Sequence, residues 1–401
     1  MIPQVTLVVP GRWHAFDFAR ELERLGALHR IITNYPKSRT RRWGIPDDKV
    51  VSLPLTILLS TAAWKLGGER FAMRHHFRIH DLFARAAAKR LGNPDVVHGW
   101  SGTAEPSIMK ARERGIVTVL ERSSSHMLEQ CRIVREEYDT LGFRWAETPP
   151  ATVERELREY ALADRVFVPS LFVERSFLAR NFPAGRLFRN GFGVDLSRFK
   201  PGRKSDDVFR VIYAGALSVR KGIHHLAHAF RAASVPNSEL LLVGGPSQET
   251  DRLIGGDTTG IRRVGYVPQA ELPALYQMAS VFAMASLEEG QAYVQAQALA
   301  CGLPLVCTTN TGGEDFLLMS GTGLAREGGI TEFPAGYLVP AGDSAAMALV
   351  LRSLANTPVL LHTKQAAAAR LAERDLSWAR YADANLSAYR QLLADAPFSP
   401  K

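Results

Sequence analysis

Cysteine is scarce. Cys131, Cys301 and Cys307 are an odd set with no Cys-x-x-Cys spacing, which excludes a zinc ribbon and a disulfide framework, so they read as buried or spectator thiols. Apolar runs of the ~20 residues that a membrane-spanning helix needs are also missing. The opening MIPQVTLVVPGRW lacks the basic start of a secretory signal, so a cytoplasmic location is expected. No Gly-Lys-Ser/Thr occurs, which excludes a Walker loop. Acidic charge is short in one half only. Residues 1–200 hold 32 Lys+Arg against 22 Asp+Glu, which leaves 17 against 18 for residues 201–401 and puts all of the +9 in the first half. That balance points to an anionic partner such as membrane phospholipid or a phosphorylated acceptor, with scattered surface arginines as the plainer alternative.

With 401 residues, 46% of them hydrophobic, the chain can bury two cores. Its most informative stretch is Val281 to Thr308. An apolar run, Val281 to Ala285, leads to Glu288-Glu289-Gly290, then to an Ala-rich helical pattern that Cys301-Gly302 stops, then to a second apolar run, Leu303 to Val306. Strand, acidic turn, helix and strand make a βαβ unit and imply a parallel sheet covered on both faces. Open sheets of this kind bind ligands outside the carboxyl ends of their strands, where Glu289 and Gly290 stand. The N–H groups from Gly290 to Tyr293 are expected to be free for phosphate or sugar oxygens. Gln297 falls near the same face. Glu288 and Glu289 can equally serve to complement the helix dipole.

The first half reads as the same architecture. Val5 to Pro10 is a strand that leaves through Gly11-Arg12-Trp13-His14, and a helix with Phe16, Ala19, Leu22 and Leu25 on one face leads to the strand Ile31-Ile32-Thr33. Two further strands end in polar residues, Asp95 to Trp100 and Gly115 to Glu121, the latter followed by Arg122 and His126. Between Thr33 and Asp95, Lys37, Arg39, Arg41 and Arg42 flank Trp43, a mostly apolar run covers Val50 to Trp64, and Arg70, Arg74, His75, His76 and Arg78 follow. Two readings stand for this segment: docking on an anionic membrane surface, or a buried strand and helix beneath a solvated basic loop.

The crossing Asn190 to Asp195, then Phe199-Lys200-Pro201-Gly202, separates two domains. Beyond it, Val211 to Gly215 is a strand, and the loop Ala216 to Gly222 turns into a helix. Lys221 at that helix start is placed as a point charge against a diphosphate. His224 and His228 are four apart on the helix, but no third ligand is evident, and no metal site is expected.

These motifs in order resemble the family 4 retaining glycosyltransferases. Glu289-Gly290 matches the start of the family's Glu-Gly-Phe-Gly…Glu segment, and Ala300-Cys301-Gly302-Leu303-Pro304 matches its small-Gly-x-Pro ending. Gln291-Ala292 stands for the family's Phe-Gly, and Gln297 for its second Glu. Gly215 and Lys221 match the phosphate loop, where Ala216 replaces the usual arginine and Arg220 appears instead. Asn190 to Asp195 resembles the family's interdomain Asn-Gly-Val-Asp with Phe192-Gly193 inserted.

The resemblance implies a GT-B fold: α/β, with two Rossmann-like domains facing across a cleft, over 1–188 (acceptor side) and 189–375 (nucleotide-sugar side), and a C-terminal helix in 376–401 packing back on the first. It implies that Gly11 approaches the donor phosphates, that Lys221 and Arg220 stabilise the leaving diphosphate, and that Glu289 positions the donor sugar. By the same resemblance Gly215, Gly290, Gln291, Ala292 and Gln297 belong to the donor site, and His126 reaches the transferred sugar. The expected activity is retaining sugar transfer from a UDP- or GDP-linked donor to a carbohydrate or lipid-linked acceptor in bacterial polysaccharide, lipopolysaccharide or glycolipid synthesis, with no cofactor or metal. The absence of Asp-x-Asp agrees with a metal-independent reaction. A sugar-nucleotide epimerase of the same fold and a non-catalytic binding scaffold are the alternatives. Nucleic-acid binding is not expected, since no recognised module is present.

Overall fold

The computed structural model describes residues 2–395 apart from Ala146; the side chains of residues 67, 69, 70 and 72–74, including Arg70 and Arg74 of the basic cluster, lie outside that description. Seven parallel strands build the first sheet: β1 (Val5–Val9), β2 (Leu28–Thr33), β3 (Val50–Ser52), β4 (Val96–Trp100), β5 (Val117–Glu121), β6 (Arg165–Val168) and β7 (Leu187–Arg189). Their order is β3-β2-β1-β4-β5-β6-β7. Every residue of β1, β4 and β5 is buried. Helices cover both faces of a parallel sheet, so these central strands read as continuous rather than alternating apolar runs.

A second sheet holds β8 (Phe209–Ala214), β9 (Ser238–Val243), β10 (Ile261–Gly265), β11 (Val281–Met284), β12 (Leu305–Thr308), β13 (Leu324–Ala325), β14 (Thr331–Phe333) and β15 (Gly336–Val339). Its order is β10-β9-β8-β11-β12-β15-β14-β13, with only the β13–β14 and β14–β15 pairs antiparallel. Among its parallel strands each sheet therefore reverses its order once, between β1 and β4 in the first and between β8 and β11 in the second. Such switch points open a crevice beyond the strand ends. The loops that leave β1, β8 and β11 are the three singled out in the sequence.

The last helix, Trp378–Asp395, returns to the first domain. Trp378, Tyr381, Leu386, Tyr389 and Leu392 join Val5, Leu7, Phe16 and Phe18 in one apolar cluster. The segment after β3 forms a helix from Leu55 to Ala88, interrupted at Gly68 by left-handed φ (66°) with extended ψ (−170°). Of the two readings of this segment, the buried one fails for the first part. Leu55, Leu58, Trp64 and Leu66 are exposed, Leu66 by 87%, because only the part beyond the break reaches the sheet, through Phe83 and Ala87. Among the described residues no single helix is long and apolar enough to cross a membrane.

Candidate functional site

The loop after β8 ends at Gly222, which caps the helix Ile223–Ala233 from the left-handed region (φ 62°). A Cβ there would lie 1.9 Å from the Ala285 carbonyl oxygen, so only glycine lets this helix start directly against the end of β11. That packing sets Lys221 beside the loop after β11. The Lys221 ammonium is ion-paired with the Glu289 carboxylate, and both side chains are largely buried. Arg220 is partly exposed but turned to the same loop. Its Nη1 donates to the Glu288 carbonyl oxygen (2.9 Å) and lies 3.0 Å from Glu288 Oε2 and 3.4 Å from Glu289 Oε2.

Glu288 and Glu289 are sequence neighbours with different tasks. Glu288 is fully buried and accepts from the Ser125 backbone N–H (2.9 Å) and hydroxyl (2.8 Å), both on the first domain. Burial would raise its carboxyl, but Arg220 and the two Ser125 donors outweigh it and hold it below the ordinary carboxylate range. The alternative reading, that these carboxylates complement the dipole of the following helix, does not hold, because that helix begins at Tyr293. Its first turn is accordingly Tyr293 onward, not Gly290. Gly290 also differs from expectation. A Cβ on it would meet the Ser123 carbonyl oxygen at 1.8 Å, and its own carbonyl accepts from Ser170 Oγ at 2.5 Å. The glycine admits the first domain's loop rather than a ligand.

Gln291 is buried, accepts from the Phe192 N–H (2.6 Å) and donates to the Gly312 carbonyl (3.3 Å). Ala292 is the buried N-cap of the helix. These two positions tie the linker to the loop and direct no polar side-chain atom at a ligand. Gln297 is different: it lines the interdomain cleft, its Oε1 3.4 Å from the Tyr276 hydroxyl. Gly215, with φ 151°, sits at the end of β8 with Tyr213 Oη beside it.

The cleft encloses about 910 Å³ between Arg12, Trp13, His14 and Trp43 on one side and Val267, Tyr293 and Gln297 on the other, within the range of small-ligand sites. Gly11 lies at its edge, held by the bond from Thr33 Oγ1 to its carbonyl (3.0 Å). Arg12 bridges the cleft by donating to Gln269 Oε1 at 3.2 Å.

The structure does not bring His126 to this constellation. Its Nδ1 accepts from the Leu128 N–H (3.3 Å), capping the helix Met127–Thr140, and its ring packs against Tyr160 and Phe177. Burial, and then the Arg122 cation, lower it to about 4, so the ring is neutral. The apolar first-domain helices take up the side chain while the neighbouring Ser125 turns to Glu288 of the second domain. A different histidine was missed. His14 is buried beneath Trp100, Phe192, Tyr293, Trp378 and Tyr381, and its Nε2 lies 3.4 Å from Glu121 Oε1. Glu121 Oε2 reaches His98 Nε2 at 3.2 Å, and His98 Nδ1 reaches the Tyr389 hydroxyl at 2.5 Å. Burial alone would push the Glu121 carboxyl up, yet His14 and then His98 hold it at about 2. The signal was available: Glu121 ends β5, His98 lies within β4, and His14 ends the loop that leaves β1.

Residues 208–357, most of the second domain, match the family described as glycosyl transferases group 1. The chain is 29% identical over 268 residues to the GDP-mannose-dependent alpha-(1-6)-phosphatidylinositol monomannoside mannosyltransferase of Mycolicibacterium smegmatis, a match that spans 60% of this chain and 66% of the relative. It is 35% identical over 107 residues to the alpha-monoglucosyldiacylglycerol synthase of Acholeplasma laidlawii, spanning 25% and 27%. Each match thus spans less than two-thirds of the relative's length. In fold, the sucrose-phosphate synthase of Thermosynechococcus elongatus is similar over 98% of this chain and 99% of its own, with a TM-score of 0.68 and 20% identity. The HepE protein of Anabaena, solved with UDP-glucose, is similar over 97% and 100%, with a TM-score of 0.66 and 15% identity. With the family's motifs on the loops at the second switch point and the two-domain architecture around them, the chain has the GT-B fold, and its second domain is similar to the group 1 glycosyl transferases.

Proposed function

We propose that the chain moves a sugar, with retention, from a nucleotide diphosphate sugar to an acceptor hydroxyl on a carbohydrate or lipid. The observation that carries this reading is the Arg220–Lys221–Glu289 cluster at the start of the helix Ile223–Ala233, set beside a cleft between two switch points. A diphosphate drawn to that helix start meets Lys221 as a compact cation, Arg220 as a second one, and the free N–H groups of the first turn. Lys221 exchanges Glu289 for the phosphate oxygens, which frees the Glu289 carboxylate to accept from donor-sugar hydroxyls. As the sugar–phosphate bond breaks, charge builds on the diphosphate, and cations fixed in a largely buried site stabilise it. Attack from the face the nucleotide leaves preserves the anomeric configuration. On this reading no metal is needed at the diphosphate, because two cations already stand there. Gln297 and Val267, across the cleft from Arg12, hold the nucleoside end.

Relatives that use GDP-mannose and fold neighbours solved with UDP or UDP-glucose support a nucleotide-sugar donor. The exposed Leu55, Leu58, Trp64, Leu66 and Phe71, with Lys65 and Arg78 on the same helix, support docking of the first domain on an anionic cytoplasmic membrane face.

The test is thermal stabilisation by UDP, GDP and their common sugars on the wild type and on Lys221→Ala. A shift with one nucleotide that the substitution abolishes is the expected result. No shift with any of them on a folded wild type overturns the reading. Once the donor is known, a product of inverted anomeric configuration would remove the retaining mechanism, and loss of turnover on chelation would remove metal independence.

A further inference from the structure

The helix that starts beside Lys221 carries a second polar cluster on the side facing the first domain. His224 and His225 both turn to Glu137, which stands on the first-domain helix Met127–Thr140. Glu137 Oε1 lies 2.6 Å from His224 Nε2 and 3.2 Å from His225 Nε2. The three ligating atoms all fall within 4.8 Å of one another, and the side chains are 14%, 21% and 17% exposed for His224, His225 and Glu137. The cluster is thus shielded but open to solvent on one side. His228, the expected partner of His224, is exposed and takes no part. The third ligand came from the other domain, where spacing along the helix could not reveal it.

We propose that these residues form a binding site for a divalent transition ion of the zinc class, and that the ion clamps the two domains together. Two imidazoles and one carboxylate, with the fourth position left to water, are a donor set such ions accept in tetrahedral geometry, whereas magnesium and calcium take oxygen ligands. His225 carries the outer support that a ligating histidine needs. Its Nδ1 lies 3.2 Å from Ser344 Oγ, which orients the ring and leaves Nε2 for the ion. His224 Nδ1 is buried with no hydrogen-bond partner among the described residues, so Glu137 is the only polar group that this ring addresses. Ligand bonds of about 2.0–2.1 Å at tetrahedral angles separate neighbouring donor atoms by roughly 3.4 Å. Loading therefore asks the present contacts to widen by less than about 1 Å, within reach of side-chain rotation.

The ion sits apart from the diphosphate position and takes no part in bond breaking. Its effect is on the cleft: the ligands come from both domains, so a bound ion favours the closed arrangement and slows exchange of substrate and product. This inference stands independently of the transferase reading.

The experiment titrates the full chain with Co²⁺, whose tetrahedral complexes show strong visible bands, and then displaces it with Zn²⁺. One Co²⁺ per chain is expected, with the bands lost in Glu137→Ala and in His225→Ala, kept in His228→Ala, and weakened more than tenfold in Ser344→Ala. Circular dichroism and unfolding midpoints taken without metal identify any variant that is merely unfolded. Should Glu137→Ala keep the wild-type bands, the ion is bound by the second domain alone and the clamp is overturned. Absence of any tetrahedral spectrum on folded wild-type protein overturns the site itself.

Discussion

The two switch points face one cleft and are built of opposite materials. Beyond β8 and β11 the groups are charged and paired with one another: Arg220 and Lys221 against Glu288 and Glu289. At the ends of β1, β4 and β5 the charge nearest the aromatic rings is one buried carboxylate, Glu121, wrapped by two histidines, the Tyr381 hydroxyl and a shell of aromatic rings. The difference is one of purpose. The second domain holds its cations against carboxylates, and under the proposed function they change partners when a diphosphate arrives. The first fixes its charge in place, and offers the cleft apolar faces and oriented rings instead.

The sharpest way to break that contrast is Lys221→Ala. Turnover is expected to fall by roughly 10²–10³-fold, as when one fixed donor to developing charge is removed, while the unfolding temperature in the absence of nucleotide changes little; steady-state kinetics and a thermal melt check both. Glu121→Gln should do the reverse and act first on stability. Removing one member of a buried charge network costs about 3 kcal/mol, to be read from urea unfolding. The pH dependence fixes the sign. Glu121 is held at about 2 in the folded chain, below its ordinary 4.5. Its contribution is therefore present above pH 4.5 and lost as pH falls towards 2, so the variant's deficit should shrink in acid.

Glu288→Gln and Glu289→Gln separate the neighbouring carboxylates. The first is expected to cost about 1–3 kcal/mol by leaving the Ser125 donors and Arg220 poorly paired; the second should leave stability nearly unchanged and lower turnover. Equal effects of the two on stability would erase the distinction drawn between them. The smallest structural effect belongs to Trp64→Ser with Leu66→Ser. Both residues are exposed, so stability should stay within about 0.5 kcal/mol, while sedimentation with anionic liposomes at low salt should drop.

The second domain was legible because its function is written locally. Lys221-Gly222 and Glu289-Gly290 lie on short loops between apolar runs, and a loop's place follows from the strand before it. What the sequence concealed was everything that depends on the other domain. Nothing local to Gly290 tells that the Ser123 carbonyl presses against it, nor that Glu288 rather than Glu289 holds Ser125. His126 misled for the same reason. Its neighbour Ser125 faces Glu288 of the second domain, but a histidine that caps its own helix is turned into the apolar layer of its own domain. His14 was passed over because the rings that bury it come from positions near 100, 192, 293 and 378, which only the fold assembles.

The return of the last helix has a mechanical consequence. The chain passes between the domains twice, at Gly191–Val194 and at Leu376–Trp378, and the two passes are laced together: the Val194 N–H donates to the Leu376 carbonyl at 2.9 Å, and Gly193 lies so close to Trp378 that a Cβ would meet its backbone nitrogen at 2.6 Å. A single tether would let one domain swivel freely on the other. Two joined tethers behave as the pin of a door, which leaves one axis of swing and resists twist. Whatever widens this cleft must move about that line, so the loops that part are the same ones that meet again on closing.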